Sequence, residues 1–442
     1  MEYEIPRFAR NDKQGWNMAE IVPFKGVLYN TSKVSGEEVA APPYDIITPE
    51  YKEKLYGKSP YNIVRIDFGK ELEGDNESQN RYTRASDYLN SWLKDGILHV
   101  SKAPAFYAYE VDYSIKGSRK RLRGFFSLMR LEELGRGVYP HECTHSKPKA
   151  DRLNLLRICR AHISPIFSLY NSPEKKASEI MNRVMLRKPY MEAKDFDGAI
   201  HRLWVVEGEK DIEIIRKDLK GKPVVIADGH HRYETALEFQ KEMNKLSAPP
   251  PPPLNKGGIE GGVKPWDYVL MFLANMSDEG LTILPAHRLV KNLPENFLDI
   301  LSGHFAVEGL AADADIIEML SRNEHAIGLC HRSSDKLYLL RHKGAGLENI
   351  NPALKELDVT ILHELIFKKL LNITEVAYEM DTAETINMVR KGIYDAAFLL
   401  NPTGVKDVER VALSSASSGE RMPPKSTYFY PKLLTGMVMY KF

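Results

Sequence analysis

The sequence has little cysteine, little net charge and no long apolar run. Its 442 residues include only Cys143, Cys159 and Cys330, too few and too scattered for a disulfide framework or a cysteine-based zinc site. Lys and Arg total 61 against 60 Asp and Glu, so the net charge of +1 offers no general attraction for polyanions, and nucleic acid is not an expected partner. No apolar run approaches the ~18 residues that cross a bilayer. The N-terminus is charged and lacks the apolar stretch of an export signal. We therefore expect a soluble, cytoplasmic protein with reduced thiols and no membrane partner.

Two common nucleotide-binding motifs are also missing. The sequence contains no G-x-x-x-x-G-K-[ST], and no G-x-G-x-x-G follows a strand pattern. A P-loop or Rossmann nucleotide site is therefore not expected.

The length and the periodicity predict a mixed α/β protein with several regions. At 50.3 kDa the chain is long for one domain. We predict an N-terminal α/β region at 1–130, a core at 131–295 and a C-terminal α/β region at 296–442. Residues 247–264 contain five consecutive prolines and two Gly-Gly pairs. Such a composition cannot bury a core and predicts a surface insertion.

Local patterns predict individual elements. Apolar residues at helical spacing predict a helix across 81–98, with Gly96 near its end, and alternation across 105–129 predicts a hairpin. Residues 61–69 are predicted as a short strand, and residues 354–371 as one helix.

A strand, a glycine turn and a helix are predicted around the segment ADGHHR. The strand delivers Asp228 to its end, Gly229 permits a sharp turn, and the helix begins beside His230, His231 and Arg232. The first amides of a helix have no acceptor within it and attract anions, so phosphate is the natural ligand. Alternatively, the aspartate only caps the helix and the histidines are polar surface.

A second cluster of titratable residues includes a literal H-E-x-x-H. It runs from His141 to His145, but Pro140 and Pro148 leave too little room for the helix that a zinc site of this type needs. What remains is a loop that offers Glu142 as a general base. The cationic side chains that follow it are candidate anion contacts: Lys147, Lys149 and Arg152.

Several strings in the sequence resemble the bacterial and archaeal family DUF1015. They are PPYDII, VYPHECTHSKPKADRLNLL, ADGHHRYETAL, LTILPAHRLV and MPPKSTYFYPKLLTG. More distantly, the PHE-x-T loop and the ADGHHR turn resemble the ParB/sulfiredoxin-like superfamily and its archaeal free-serine kinases. This resemblance implies a ParB/sulfiredoxin-like nucleotide-binding core embedded in a larger mixed-sheet protein.

The resemblance also implies roles for both motifs. Glu142, assisted by His141, is the base on a substrate hydroxyl, and residues 228–232 hold the phosphates of ATP or ADP, with Asp228 on Mg²⁺. The expected activity is phosphoryl transfer to a small hydroxyl metabolite, with free L-serine the first candidate. A ParB-like regulatory or nucleic-acid-associated protein is an alternative, as is a sulfiredoxin-like redox enzyme. The latter is disfavoured because position 230 is His rather than Cys.

Three further loops are weaker candidates for substrate binding. Each has an equally plausible structural role, as a rigid turn, a buried arginine or packed aromatic residues. Their candidate residues are Tyr44, Asp45, His287, Arg288, Lys425, Ser426 and Thr427.

Overall fold

The computed structural model describes residues 19–143, 146–247 and 264–442, without the side chains of residues 146–148. Helices account for 34% and strands for 27%, arranged in several sheets, so the expected mixed α/β class is confirmed. Residues 248–263, most of the predicted insertion, lie outside the described residues. Among the described residues, no helix is both long and apolar enough to span a bilayer.

The strands, in chain order, are β1 (Ile21–Val22), β2 (Val27–Tyr29), β3 (Leu98–Val100), β4 (Phe106–Ile115), β5 (Ser118–Arg130), β6 (Val138–Tyr139), β7 (Ala161–His162), β8 (Ile166–Tyr170), β9 (Met191–Lys194), β10 (Ile200–Val206), β11 (Val224–Asp228), β12 (Tyr268–Asn275), β13 (Thr282–Leu284), β14 (His287–Val290), β15 (Phe305–Leu310), β16 (Ala326–His331), β17 (Leu337–His342), β18 (Ala377–Glu379), β19 (Ala396–Leu399), β20 (Tyr428–Tyr430) and β21 (Tyr440–Lys441).

The α-helices are α1 (Gly36–Val39), α2 (Pro49–Lys58), α3 (Val64–Asp67), α4 (Arg81–Lys94), α5 (Ser146–Cys159), α6 (Lys176–Val184), α7 (Glu209–Leu219), α8 (His230–Leu246), α9 (Phe297–Ser302), α10 (Ile316–Ser321), α11 (Pro352–Lys355), α12 (Asp358–Thr360), α13 (Thr382–Arg390) and α14 (Val405–Ser418). Short 3₁₀ turns span Tyr44–Ile46 and Pro265–Asp267, and a π-helix spans Ile361–Leu371.

The larger sheet has nine strands, and the two strands that precede Glu142 and end at Asp228 lie at one edge. Its order is β6-β11-β8-β12-β5-β4-β10-β9, with β1 also paired to β5. β6 runs parallel to β11, so the segments that lead into Glu142 and Asp228 leave the sheet side by side. The predicted hairpin is present as β4 and β5, and the predicted strand–turn–helix as β11 and α8.

A second sheet has six strands in the order β15-β17-β16-β19-β14-β18, and all of its pairs are antiparallel. The largest hydrophobic cluster includes Tyr109 and Phe272 of the larger sheet and Ile327 and Phe398 of the second. One continuous apolar core therefore supports both sheets.

The three predicted regions share these sheets. β5 pairs with β12 and β4 with β10, so strands from 1–130 and from 131–295 form one sheet. β14, from the same middle region, joins the second sheet instead. The division at 130 and 295 itself stays a prediction.

Two local predictions are wrong. Residues 61–69 contain the helix α3 rather than a strand, because Asn62 accepts a hydrogen bond from the Val64 amide at 3.0 Å and donates to Glu38 and Ala40, which fixes a turn. The single helix predicted over 354–371 is divided into α11, α12 and the π-helix. Apolar periodicity alone does not distinguish an α-helix from a π-helix over such a length.

Candidate functional site

The ADGHHR turn has the predicted backbone. Gly229 has a φ of 98° and is the N-cap of α8, and a Cβ at this position would lie 2.9 Å from Arg232 Nε. The left-handed conformation therefore favours glycine here, and any larger residue would also have to displace the Arg232 guanidinium. Asp228 is not the cap of the helix, because its carboxylate faces a different partner.

That partner is Lys432, which the sequence did not single out. Its Nζ lies 2.8 Å from Asp228 Oδ2, and Arg232 Nη2 lies 3.7 Å from Oδ1. Burial alone would raise the pKa of Asp228, but the charges of Lys432 and Arg232 outweigh it and hold this pKa well below its usual range. The two cations retain side-chain exposures of 12% and 13%, so they lie at the edge of solvent.

Glu142 is held by the C-terminal part of the chain. Its Oε1 accepts a hydrogen bond from the Thr427 amide at 2.9 Å and another from the Thr427 hydroxyl at 2.8 Å. A backbone bridge between Glu142 and Met422 lies beside these contacts. The two residues at positions 142 and 427 are 285 positions apart, so only the tertiary fold could reveal this pair.

The carboxylate of Glu142 is strongly stabilised in its ionised form. Burial acts to raise its pKa, but a hydrogen bond and charge from His141 outweigh it, with a further contribution from His230. The result is a pKa of about 2. Glu142 is therefore ionised throughout the neutral range.

His141 links the two motifs. Its amide donates to His230 Nε2 at 3.4 Å, its ring centroid lies 4.8 Å from that of His230, and its Nδ1 lies 2.8 Å from the Ile226 carbonyl. Burial and the proximity of His141 lower the pKa of His230 to about 3, so His230 is neutral. The loop with Glu142 and the turn after β11, 89 residues apart at this contact, adjoin each other.

The segment 422–432 contacts both motifs. Thr427 bonds to Glu142, and Lys432 bonds to Asp228. Lys425, two residues before Thr427, has a φ of 58°, a left-handed conformation that is uncommon for a residue other than glycine. This segment therefore joins the base candidate to the phosphate-turn candidate.

A fully buried arginine supports this segment from the second sheet. Arg288 is 0% exposed, and its Nη2 donates to the Lys425 carbonyl at 3.0 Å. Its Nη1 donates to the Ala286 carbonyl and its Nε to His363 Nε2 at 3.2 Å. Burial lowers the pKa of Arg288 to about 10, so it remains a cation at neutral pH. It forms no ion pair with any residue that the structure describes.

Several residues predicted to bind nucleotide have other protein partners. Lys149 pairs with Glu234, and Arg152 is 7% exposed, donates to Asp67 at 2.9 Å and packs over the Tyr44 ring. Their contacts favour structural roles. The side chain of Lys147 lies outside the described part of the chain, as does His145. His231 lies on the first turn of α8.

The weaker candidates divide into two groups. Tyr44 and Asp45 lie beside the turn, with Asp45 Oδ2 4.0 Å from Lys425 Nζ. Burial raises the pKa of Tyr44 to about 12, and the charge of Arg232 acts on it from nearby. The loop that holds these residues therefore reaches the same region as the two motifs.

His287 and Ser426 serve the fold. His287 is 0% exposed; its Nε2 lies 2.9 Å from Thr382 Oγ1, and its Nδ1 accepts from the Leu400 amide at 3.2 Å. Ser426 donates to the Pro423 carbonyl at 2.6 Å. Both side chains form hydrogen bonds to other groups of the protein, which favours a structural role for each.

The described residues do not fit a magnesium site of their own. Asp228 is already neutralised by Lys432 at 2.8 Å, and no group of three His, Cys, Asp or Glu side chains within 19–143, 146–247 and 264–442 could hold a metal ion. The ring nitrogens of His141 both have protein partners, so a zinc site at the H-E-x-x-H is also disfavoured. Cys143 is exposed, and its amide donates to the Met422 carbonyl.

Sequence reasoning missed Lys432 and the contact that Thr427 makes with Glu142. Lys432 follows a Tyr-Pro pair, and Thr427 lies in the KST string, for which the sequence predicts either a substrate contact or aromatic packing. The one signal in the sequence was the string KSTYFYPK, which combines polar and aromatic residues. No spacing rule connects it with residues 142 or 228.

Comparisons with solved structures returned proteins of low sequence identity. A free serine kinase in complex with AMP is 14% identical, with a TM-score of 0.33, and the match covers 69% of this chain and 86% of that one. A conserved hypothetical protein from Pyrococcus furiosus is 16% identical, with a TM-score of 0.33 and coverages of 69% and 89%. SbnI with a C-terminal truncation, from Staphylococcus aureus, is 11% identical, with a TM-score of 0.34 and coverages of 70% and 85%.

A search of curated proteins found no match. The family model described as Protein of unknown function (DUF1015) matches residues 21–360. The match spans most of the chain, including both motifs and Arg288, and the chain therefore belongs to the DUF1015 family.

Proposed function

We propose that this protein is a nucleotide-dependent phosphotransferase that acts on the hydroxyl of a small metabolite. The observation that carries the proposal is the junction of the two motifs: the His141 amide contacts His230 Nε2 at 3.4 Å, and segment 422–432 bonds to Glu142 on one side and to Asp228 on the other. A carboxylate therefore lies beside a cationic helix N-terminus, which are the two parts that such a reaction needs.

The cationic part suits the phosphates of ATP or ADP. The N-terminus of α8 offers amides and the positive end of the helix dipole. Lys432 and Arg232 add two positive charges around the single carboxylate of Asp228. Because phosphoryl transfer passes through a loose transition state, an enzyme mainly positions the reacting oxygens and neutralises charge on the moving group. No step in this proposal depends on a metal ion held by the protein.

Glu142 accepts the proton of the substrate hydroxyl. A carboxylate with a pKa of about 2 is a weak base, and the ideal base titrates near the working pH. In a loose transition state, however, the hydroxyl loses its proton late, so orientation matters more than basicity. Free L-serine is the first substrate to test, since the PHE-x-T and ADGHHR strings resemble those of free-serine kinases.

The test is a phosphotransfer assay on the full chain. Purified protein with ATP or ADP, Mg²⁺ and L-serine is expected to form phosphoserine, detected by mass spectrometry, and Glu142→Gln is expected to lower the rate about 10²- to 10⁴-fold, the usual contribution of a general base. Glu133→Gln is the matched control, because Glu133 pairs with Lys241 on the surface.

A panel of small hydroxyl metabolites extends the assay beyond serine. If the protein transfers phosphate to none of them from either nucleotide, the proposal is wrong. If Glu142→Gln and Glu133→Gln transfer phosphate at the same rate as the unmodified protein, Glu142 is not the base.

A further inference from the structure

The side chains of His141, Thr427 and Glu142 form a chain of short polar contacts. His141 Nε2 lies 2.8 Å from Thr427 Oγ1, which lies 2.8 Å from Glu142 Oε1. His141 Nε2 is itself 3.5 Å from Glu142 Oε1. His141 is 0% and Glu142 13% exposed, so bulk water contributes little to this chain of contacts.

The other nitrogen of His141 is assigned by its partner. Nδ1 lies 2.8 Å from the Ile226 carbonyl, which can only accept, so Nδ1 carries a hydrogen. The open question is whether Nε2 also carries one. Thr427 has a single hydroxyl hydrogen and can donate it to Nε2 or to Glu142, but not to both.

Two arrangements satisfy both short contacts, and they contain the same number of protons. In one, His141 carries hydrogens on both nitrogens, Nε2 donates to Thr427, and Thr427 donates to an ionised Glu142. In the other, Glu142 is protonated and donates to Thr427, which donates to a neutral His141. The two differ only by moving one proton along the chain of three groups.

The surroundings favour the charged arrangement. The Thr427 amide donates to the same Oε1 at 2.9 Å, and donors converging on one oxygen stabilise a carboxylate. The opposite charge on His141 offsets the cost of burying that carboxylate. The contacts that described residues make with the Glu142 carboxylate, from the Thr427 amide and hydroxyl and from His141 Nε2 at 3.5 Å, all reach Oε1.

We propose that His141, doubly protonated, and Thr427 are positioning residues that hold Glu142 as a carboxylate through Oε1 and leave Oε2 to receive the substrate proton. Only the role of Oε2 as the acceptor of the substrate proton rests on the proposed function. In that step the O–H bond of the substrate breaks and an O–H bond forms on Oε2. The electron pair stays on the substrate oxygen, which bonds to the terminal phosphorus of the nucleotide. The bond from that phosphorus to its bridging oxygen breaks, and the shortened nucleotide leaves with that electron pair.

Other charged or titratable groups also act on Glu142. His230 of α8 is neutral, with a pKa lowered to about 3 by burial. Arg288 of β14 is a cation that favours the ionised carboxylate. The charge of Glu142 also acts on Tyr378 of β18, whose pKa is raised mainly by burial. None of these three groups changes its charge between pH 6 and 8.

Nitrogen-15 NMR of histidine-labelled full-length protein tests the proton count directly. We expect one buried histidine with hydrogens on both ring nitrogens from pH 6 to 8, and its signal disappears in His141→Gln. In Glu142→Gln the same ring is expected to lose one hydrogen, because the carboxylate that stabilised its charge is gone. A His141 with one hydrogen in the unmodified protein overturns the proposal.

Kinetics test the positioning roles. We expect Thr427→Val to lower kcat about 10- to 100-fold, the equivalent of one hydrogen bond to a charged group, and to move the acid limb of the pH–rate profile to higher pH. Thr427→Ser, which keeps the hydroxyl, is expected to restore kcat to within about threefold. If Val and Ser behave alike, with no change in the acid limb, Thr427 has no positioning role.

The two experiments separate this inference from the proposed function. If no substrate is phosphorylated but His141 carries two hydrogens that depend on Glu142, the arrangement stands and the kinase proposal fails. If phosphate is transferred while His141 carries one hydrogen, the reverse holds.

Discussion

Two His–Arg motifs place the same residue types in opposite surroundings. In the first motif centre, residues 228–232 with Lys432, two cations flank one carboxylate and all three side chains retain between 12% and 23% exposure. In the second motif centre, residues 286–288 with His363 and the 425 carbonyl, the guanidinium of Arg288 is 0% exposed and bonds to carbonyls and an imidazole.

Arg232 and Arg288 therefore differ in role because of their partners in the fold and not because of their local sequence. Arg232 also donates from Nη1 to the Pro165 carbonyl, but its guanidinium lies at the solvent edge beside Lys432 and keeps other N–H donors for an incoming anion. A buried guanidinium that donates to backbone carbonyls fixes the loops to which those carbonyls belong. Arg288 fixes the loop at 425, two residues before Thr427, so the second motif centre acts on the site through the backbone.

Removing the buried guanidinium is expected to have the largest effect. Arg288→Met leaves the Ala286 and Lys425 carbonyls and His363 without their donor, which we expect to lower the free energy of unfolding by about 3 kcal/mol. Arg232→Met, at the solvent edge, is the matched control and is expected to cost about 1 kcal/mol. Urea unfolding of both variants at pH 7 measures the difference. A neutral or stabilising Arg288→Met shows that burying the guanidinium costs more than its hydrogen bonds return.

Removing Lys432 is expected to weaken nucleotide binding rather than folding. Lys432→Met takes away one of two cations beside the helix N-terminus, and we expect the Kd for ADP to rise about 30-fold, or about 2 kcal/mol. Lys432→Arg is expected to retain most of the affinity. Calorimetric titration with and without EDTA measures this. A Kd unchanged in Lys432→Met contradicts a phosphate site at the first motif centre.

Both centres contain buried neutral histidines, which predict a loss of stability in acid. Burial lowers the pKa of His230 and of His363 to about 3, and that of His287 to about 4. Because each folded-state pKa lies below the unfolded value of about 6.5, the unfolded chain binds more protons between the two. The stabilisation is complete above pH 6.5 and falls as the pH drops toward 4, by about 1.4 kcal/mol per pH unit for each histidine.

His363→Gln tests this by removing one titrating group. The slope of unfolding free energy against pH, measured by urea titration between pH 6 and 5, is expected to decrease by about 1.4 kcal/mol per pH unit. This is the contribution of one proton bound by the unfolded chain. The exposed His99→Gln is the control and should leave the slope as it is. Equal slopes in all three proteins would falsify the assignment of a neutral, half-buried His363.

The smallest effect is expected at Lys149. Its Nζ pairs with Glu234, so Lys149→Met removes the same charge as Lys432→Met from a place where it is already neutralised. We expect the Kd for ADP to change by less than about twofold. A loss as large as that of Lys432→Met shows that overall charge, rather than position, sets nucleotide affinity.

Much of the local structure could be predicted because its causes are local. The hairpin of β4 and β5 follows from two apolar, partly alternating segments around a basic turn, and the turn before α8 from a glycine between a β-branched run and a helical stripe. Residues 61–69 and 354–371 were predicted wrongly because a side-chain cap and a π-helix are not visible in apolar periodicity. The candidate residues Glu142, Asp228 and Arg232 could be found because each lies in a short motif whose residues are close together in the chain.

The sequence by itself determined the mixed α/β class and both loops that carry the candidate chemistry, because those depend on hydrogen bonds and apolar spacing within a few residues. Only the tertiary structure decided that Thr427 bonds to Glu142 across 285 positions and Lys432 to Asp228 across 204. It also decided that Arg288 is a buried support while Arg232 stays at the solvent edge. Contacts of that separation depend on how whole sheets pack, and the free energy that selects them is spread over the entire core.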